Sequence, residues 1–370
     1  MRRTFRLTFA GLVFAGITTF VFLAAINSQA NLLFFAFGLM VGAMVISALF
    51  STLMLGGVEC AREIADHAEA GQALAYQYRL TNQNRFWPCF AVRVTEQAPK
   101  GTFTEMPQGH CLHLSPRTSR VAAARLVPAA RGELKLQRIS MACSFPFGLV
   151  RRIVRVDAPA SVVVYPRIGL LEREIILRCR EAAAHGTVSS QERGGNDEFY
   201  GLREYRAGDN FKAIHWHRTA RTGQIMVREM THALPPRMVV VVDVRAWREV
   251  EHGQARADAA LELAAALICH GVAEQYAVGL WIAGEAGTLA EPQLGRDRRD
   301  RLLRAIAMLD LQAAAGREGP PRVKGAEWVL VGLRGTDVLG DIAPPGVAAT
   351  RLAMDHPDAR RWVRFEVYAR

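Results

Sequence analysis

The chain of 370 residues carries six cysteines, and none stands in a CxxC or at the spacing of a zinc site. That scatter argues against a disulfide framework and for reduced thiols packed as small core residues. No GxxxxGK[ST] occurs, which excludes ATP hydrolysis on a P-loop. GxSxG and HExxH are missing too, so neither an esterase elbow nor a zincin helix is present, and no enzyme class suggests itself. No helix-turn-helix, zinc finger or aromatic-plus-basic RNA motif accompanies the net charge of +11, so nucleic acid is not an expected partner. No cofactor is expected either. With 50% hydrophobic and 22% charged residues, the composition excludes a long disordered chain and supplies two or three globular domains.

The longest absence is of charge. From Leu7 to Val58 there is no Asp, Glu, Lys or Arg, enough for two crossings of a hydrocarbon core at about 20 residues each. The polar turn Asn27 to Asn31 divides the run into two spans. Arg2, Arg3 and Arg6 precede the first span and the turn is uncharged, so the positive-inside rule sets the N-terminus in the cytoplasm and two spans return the chain there. The basic surplus suits a domain held beside anionic headgroups. A rival reading is a cleaved signal ending near Ser28-Gln29-Ala30; the second span then stops transfer and leaves the same topology. Gly38 with Gly42, and Gly11 with Ala15, are spacings that allow close helix approach.

Residues 58–166 read as a β-sandwich-like domain. Tyr76, Tyr78 and Leu80 alternate with Gln77, Arg79 and Thr81; Val92 with Arg93; Leu134 and Leu136 with Lys135. The last strands are predicted at Leu149 to Val156 and Ser161 to Tyr165, separated by Asp157-Ala158-Pro159. His110 and His113 form a weak metal pattern.

Residues 167–234 form a segment in which charge and aromatic rings are interleaved. Such interleaving suggests a loop that folds back on the protein through bidentate pairs such as Arg203 or Arg221 with Glu204 or Asp209. Ala207-Gly208-Asp209-Asn210 and Thr222-Gly223 are turn signals. Ile214 to His217 reads as a short strand that would project His215 and His217 to one face, where Asp209 or Glu204 would complete a metal-ligand set. The pattern Gly195, Glu198, Phe199, Leu202, Arg203, Tyr205, Gly208, Asp209, Ile214, His215, Trp216, Ala220, Arg221, Gly223, Val227, Arg228 and Glu229 resembles the signature of the DUF fifty-eight family. Pro146-Phe147-Gly148-Leu149 and Tyr165-Pro166-Arg167 resemble two shorter landmarks of that family. At His217 the family more often has Lys. The resemblance implies a bacterial inner-membrane protein, its bulk cytoplasmic, associated with a MoxR-type AAA+ ATPase. It also marks Glu198, Phe199, Arg203, Tyr205, Gly208, Asp209, His215, Trp216, Arg221 and Arg228 as candidates for partner binding.

Residues 235–370 alternate strands and helices: Met238 to Val242, a helix with Leu261, Ala264, Ala265 and Ile268 on one stripe, Ala277 to Ile282, a helix around Arg298 to Leu309, and Trp328 to Leu333. That order predicts a doubly wound α/β domain. The resemblance implies a von Willebrand factor A-like fold whose metal site uses Asp-x-Ser-x-Ser after the first strand. Here those positions are Asp243, Arg245 and Trp247, so the site is degenerate and no metal is expected; Asp243 is expected to pair with Arg245 or to cap the next segment. The whole chain then reads as a multi-domain membrane protein: two transmembrane helices over residues 1–57, the β domain, the signature segment and the α/β domain. Its expected role is an adaptor for the AAA+ ATPase and an unknown client. A metal-dependent hydrolase built on His215, His217 and Asp209, and a membrane-tethered envelope-binding module, are the alternatives.

Overall fold

The computed structural model describes residues 2–99, 101–186, 192–232, 235–283, 290–312, 323, 326–334 and 349–365. They fall into two units, Met1–Arg167 and Ile168–Arg370.

The first unit opens with a strand that the sequence did not announce, β1 (Arg2–Leu7), which runs straight into α1 (Phe9–Ser28). Gln29 turns the chain in the left-handed region, and α2 (Asn31–Gly56) returns it. Both helices are long and apolar enough to cross a bilayer. They expose Phe9, Phe20, Leu32 and Phe35, and apolar residues on every side are what lipid rather than water accepts. The hydroxyls of Thr18, Thr19 and Thr52 donate to carbonyls four residues back, so these three are satisfied within their own helices. Gly38 and Gly42 meet open space rather than the other helix.

Beyond the helices come β2 (Val58–Glu63), β3 (His67–Glu69), β4 (Leu74–Asn82), β5 (Cys89–Gln97), β6 (Gln108–Leu114), β7 (Ser119–Leu126), β8 (Gly132–Cys143) and β9 (Val150–Tyr165). One sheet has the order β1-β9-β8-β5-β6 with β3 beside β9, the other β2-β4-β7. Every pair is antiparallel except β3 with β9. The predicted alternation places Tyr76, Tyr78 and Leu80 of one sheet and Val92, Val94, Leu134 and Leu136 of the other in a common core. Asp157-Ala158-Pro159 does not end a strand. It lies inside β9, where the pairing to β8 slips between Leu136 and Arg138; such a bulge accommodates the missing amide of proline. His110 and His113 both sit on β6, three apart, and His113 stacks on Phe90; residues three apart on a strand point to opposite faces, so the two do not form a ligand pair.

The β domain is fastened to the hairpin at the helix ends. Thr8 Oγ1 donates to the Gly148 carbonyl at 2.6 Å and accepts from the Gly11 amide as the cap of α1. A Cβ on Gly11 would fall 2.0 Å from the Leu149 carbonyl oxygen. Ser51 of α2 donates to the Phe145 carbonyl, and the Asn84 amide reaches the Leu53 and Met54 carbonyls that end that helix. The landmark Pro146-Phe147-Gly148-Leu149 is thus the turn that receives α1, and Phe145 just before it receives α2.

The second unit comprises β10 (Leu170–Leu171), α3 (Arg173–Gly186), β11 (Glu192–Glu204), α4 (Trp216–Thr222), β12 (Met226–His232), β13 (Arg237–Asp243), α5 (Gly253–Ala273), β14 (Ala277–Ile282), β15 (Ala290–Gln293), α6 (Arg296–Met308), β16 (Ala326–Gly332), β17 (Ala349–Ala353) and β18 (Val363–Arg364). Its main sheet has the order β15-β14-β13-β16-β17, parallel except for β15. Strand parity divides the core. Val240, Val242, Val329 and Val331 pack with Leu261, Ala264, Ile268, Leu302 and Ile306 of α5 and α6, while Val239, Val241, Trp281 and Trp328 form a second cluster on the other face. The segment 167–234 is not separate: Ile175 of α3 belongs to the first cluster, and β10 pairs with β18.

Candidate functional site

The signature residues build a small module on a two-stranded ribbon. β11 and β12 pair antiparallel with register shifts between Arg193 and Glu198 and between Phe199 and Gly201. Glu198 lies opposite Thr231, Phe199 opposite Met230, and Arg228 opposite Leu202; the side chains of Glu198 and Phe199 lie outside the described residues. The Tyr205 amide continues the ladder to the Ile225 carbonyl. The chain then turns at Arg206 to Asp209, with Gly208 at φ +106°.

That turn is locked by one carboxylate. Arg203 grips Asp209 through two bonds of 2.7 and 2.6 Å, and the Arg206 amide donates to the same Asp209 group at 2.8 Å. A carboxylate with three such donors is held in its charged form. The Arg203 bonds, and then the Arg206 amide, bring Asp209 down to about 2. Of the pairings expected from sequence, Arg203 with Asp209 forms. Arg221 does not share in it: its side chain is exposed on α4 and makes no ion pair among the described residues.

The stretch predicted as a strand is something else. Asn210 caps a short 3-10 turn at Phe211–Ala213, Ile214 makes a single bridge to Val227, and α4 begins at Trp216. His215 is the helix cap, its Nδ1 accepting from the Arg218 amide at 3.2 Å. A helix start, unlike a strand, turns residues two apart to different sides, so His215 and His217 do not converge. Asp209 is already taken by Arg203. Among the described residues no group of three or more His, Cys, Asp or Glu side chains is arranged to hold a metal. The strand reading failed because a polar residue at a turn can cap a helix as readily as it can line a sheet.

The rest of the module is bracing. Thr219 Oγ1 accepts from the Met226 amide at 3.0 Å, and Gly223 ends α4 at φ +74°, where a side chain would be strained. Ile214 and Val227 are buried against each other, and Tyr205 stacks on Phe211. Three large apolar side chains are left in solvent: Phe211, Trp216 and Ile225, at 71%, 67% and 48% exposure. Lys212, His217, Arg218 and Arg221, near them in sequence, are exposed as well, and so is Glu204. Exposure was the property that the sequence pattern hid, since Phe211 and Trp216 read there only as rings among charges.

At the end of β13, Asp243 is buried and faces Arg245, which reaches Oδ1 through Nε and Oδ2 through Nη2, each at 3.0 Å. The Arg245 amide adds a bond to Oδ1. Trp247 donates its indole N–H to the Leu311 carbonyl. A guanidinium on both carboxylate oxygens, with Arg and Trp where hydroxyls would be needed, does not fit a divalent cation site.

No curated protein matches the chain. Among solved structures, the CARDB domain of a Pyrococcus furiosus protein is similar at 13% identity and a TM-score of 0.21, covering 29% of this chain and 94% of that one. Spo0M, a sporulation control protein of Bacillus subtilis, is similar at 9% identity and 0.18, covering 37% of this chain and 58% of that one. An exo-β-N-acetylglucosaminidase of Vibrio harveyi is similar at 8% and 0.20, covering 74% and 57%. Residues 201–332 match the family described as "Protein of unknown function DUF58", a stretch that runs from Gly201 near the end of β11 through α4, β12, β13, β14 and β16 and leaves out the signature positions Gly195, Glu198 and Phe199.

Proposed function

We propose that the chain is a membrane-anchored cytoplasmic adaptor, without enzymatic activity of its own, that presents the signature module to a MoxR-type AAA+ ATPase acting on a client complex at the bacterial inner membrane. The observation that carries this reading is the division of labour in the module. Arg203, Asp209, His215 and Thr219 are occupied in holding its shape, while Phe211, Trp216 and Ile225 stand exposed in a segment that also exposes Lys212, Arg218 and Arg221. Exposed aromatic side chains are the makings of interface anchors, and the excess of cations in the segment favours an acidic partner surface. The choice of ATPase rests on the resemblance to the family.

Two features support the topology. β1 carries the N-terminal arginines and is a strand of the β domain, so both ends of the hairpin lie on one side of any membrane it crosses. Positive residues at that end favour the cytoplasmic side. Cleavage after Ala30 would remove β1 and α1 together, which weighs against a signal peptide, and the topology weighs against the envelope-binding alternative. The hydrolase alternative loses its ligand geometry at His215.

The test is affinity purification of the full chain from detergent-solubilised membranes with and without nucleotide. The wild type should retain the AAA+ ATPase in a nucleotide-dependent manner, and Phe211→Ala/Trp216→Ala should lose it with an unchanged melting curve. Equal retention by the double variant would remove the module from the interface. Absence of the ATPase, with stoichiometric metal lost on His215→Ala, would move the assignment to the hydrolase.

A further inference from the structure

The like-charged pair at the foot of the hairpin has no account in the fold itself. In the β1–β9 register Arg6 lies directly opposite Arg151. Both side chains are exposed, and neither makes an ion pair among the described residues. Directly opposed like charges destabilise a strand pair, and β1, at the edge of the sheet, leaves the Arg6 position open to other residues. The pair sits where the chain meets the helices: Arg6 is two residues before the Thr8 cap of α1, and Arg151 two residues after Leu149, whose carbonyl that cap engages.

The same level carries rings in solvent. Phe147, in the turn that receives α1, is 56% exposed; Phe86, in the loop whose Asn84 caps α2, is 74% exposed. Trp87, in that loop, lies edge-on to Phe50 of α2 with ring centroids 5.7 Å apart and is still 40% exposed. Arg85 lies over the Phe86 ring. In water these rings would be a liability. At the boundary of a bilayer, aromatic side chains settle at headgroup depth, and guanidinium groups bind phosphate bidentately.

We propose that Arg6 and Arg151, with the rings of Phe86, Trp87 and Phe147 around the base of the hairpin, form an interfacial collar that binds the phosphate of an anionic phospholipid in the leaflet the helices enter. The occupant follows from continuity. The collar is the polar end of two apolar helices, so the first phosphates beside it are those of lipid packed on α1 and α2. The proposal rests on the membrane-anchor reading and adds to it a headgroup preference and the two residues that impose it.

The experiment uses the full chain reconstituted into vesicles of equal phosphatidylcholine and phosphatidylglycerol, re-extracted in mild detergent and weighed by native mass spectrometry. The wild type should keep phosphatidylglycerol in preference to phosphatidylcholine. Arg6→Gln/Arg151→Gln should lower that preference by about thirtyfold, given about 1 kcal/mol for each of the two basic residues near an anionic surface. Arg6→Lys/Arg151→Lys, which keeps the charge, should retain part of it. Folding of the Gln variant is checked by its melting curve, which should be unchanged or raised because the repulsion is gone. A wild type that resists carbonate extraction yet shows no preference, or a Gln variant that keeps it, overturns the collar and leaves the anchor standing. Displacement of the bound lipid by inorganic phosphate alone would make the site one for free anions and also overturn it. Extraction of the wild type by carbonate would remove the anchor and the collar together.

Discussion

Within the β domain, Arg62 and Glu96 form an ion pair with side-chain exposures of 3% and 0%. The pair is bidentate, Nε to Oε1 at 2.9 Å and Nη2 to Oε2 at 2.7 Å; Nη1 donates to the Ala158 carbonyl and the Tyr78 hydroxyl to Glu96 Oε1. Tyr78 is in turn bonded to Tyr76. Burial and then the Glu96 charge push the nearby Cys60 thiol up to about 12. Removing one partner leaves a bare charge in the core, so Arg62→Ala should cost about 3–5 kcal/mol, and Glu96→Ala a similar amount. Replacing both with apolar residues of like volume, Arg62→Met/Glu96→Leu, leaves no charge behind, although the Tyr78 hydroxyl loses its acceptor. That double variant should lie within about 1–2 kcal/mol of the wild type. The assay is hydrogen exchange of the full chain in detergent, read at amides of β4 and β5. The single variants should raise the opening equilibrium by roughly two to nearly four orders of magnitude. Loss of under 1 kcal/mol in both single variants, or a double variant as damaged as either, would refute the reasoning.

Gly11→Ala places a methyl against the Leu149 carbonyl and should cost about 1–3 kcal/mol, whereas Gly16→Ala, facing open space, should leave the melt unchanged; equal behaviour of the two would deny the contact. Asp209, with its value depressed to about 2, helps the module above its unfolded value of about 3.8 and loses that help as pH falls through about 2. Protease resistance of the ribbon should therefore hold at pH 5 and fall toward pH 2, and Asp209→Asn should be as sensitive at pH 7 as the wild type is in acid. Glu327 is raised by burial to about 7 from 4.5, so its contribution is fully present below pH 4.5, diminishes between 4.5 and 7 and is lost above that; the melting temperature at pH 5 minus that at pH 8 should shrink in Glu327→Gln. Arg221→Ala, at an exposed position, should melt like the wild type, and a marked loss of stability would show that Arg221 has a structural partner.

Much of the architecture was legible because it depends on periodicity. The charge-free run marked the hairpin, period two marked the faces of β4, β5 and β8, and Met238 to Val242 marked the central strand of the α/β sheet within a residue at either end. What escaped notice depends on pairing across the chain. β1 is six residues of which three are arginines, and it becomes a strand because β9 offers an edge far along the chain. α3 was not picked out from sequence, and among its described side chains Ile175 is the one that is fully buried. In the signature segment the residue types were right for an Arg to carboxylate clamp, and the clamp formed between Arg203 and Asp209. Sequence gave no means of choosing between Arg203 and Arg221. His215 was misplaced because its role depends on which backbone amide is left over at a helix start, which spacing does not encode.

These particulars alter how the anchor works. A hairpin joined to its domain by a flexible linker would raise local concentration and nothing more. Here α1 begins one residue after a strand of the β domain, Thr8 bonds to its landmark turn and Ser51 to Phe145 just before it, and Asn84 closes the end of α2. Tilting the domain against the helices would break those bonds and force Gly11 into the Leu149 carbonyl. On the proposed anchoring, the β domain would present a fixed face to the bilayer, and the residues on that face would meet a constant environment. That would let Arg6 and Arg151, which make no ion pair among the described residues, persist beside exposed rings: on the collar proposal, the geometry that costs stability in solution is held where headgroups neutralise it.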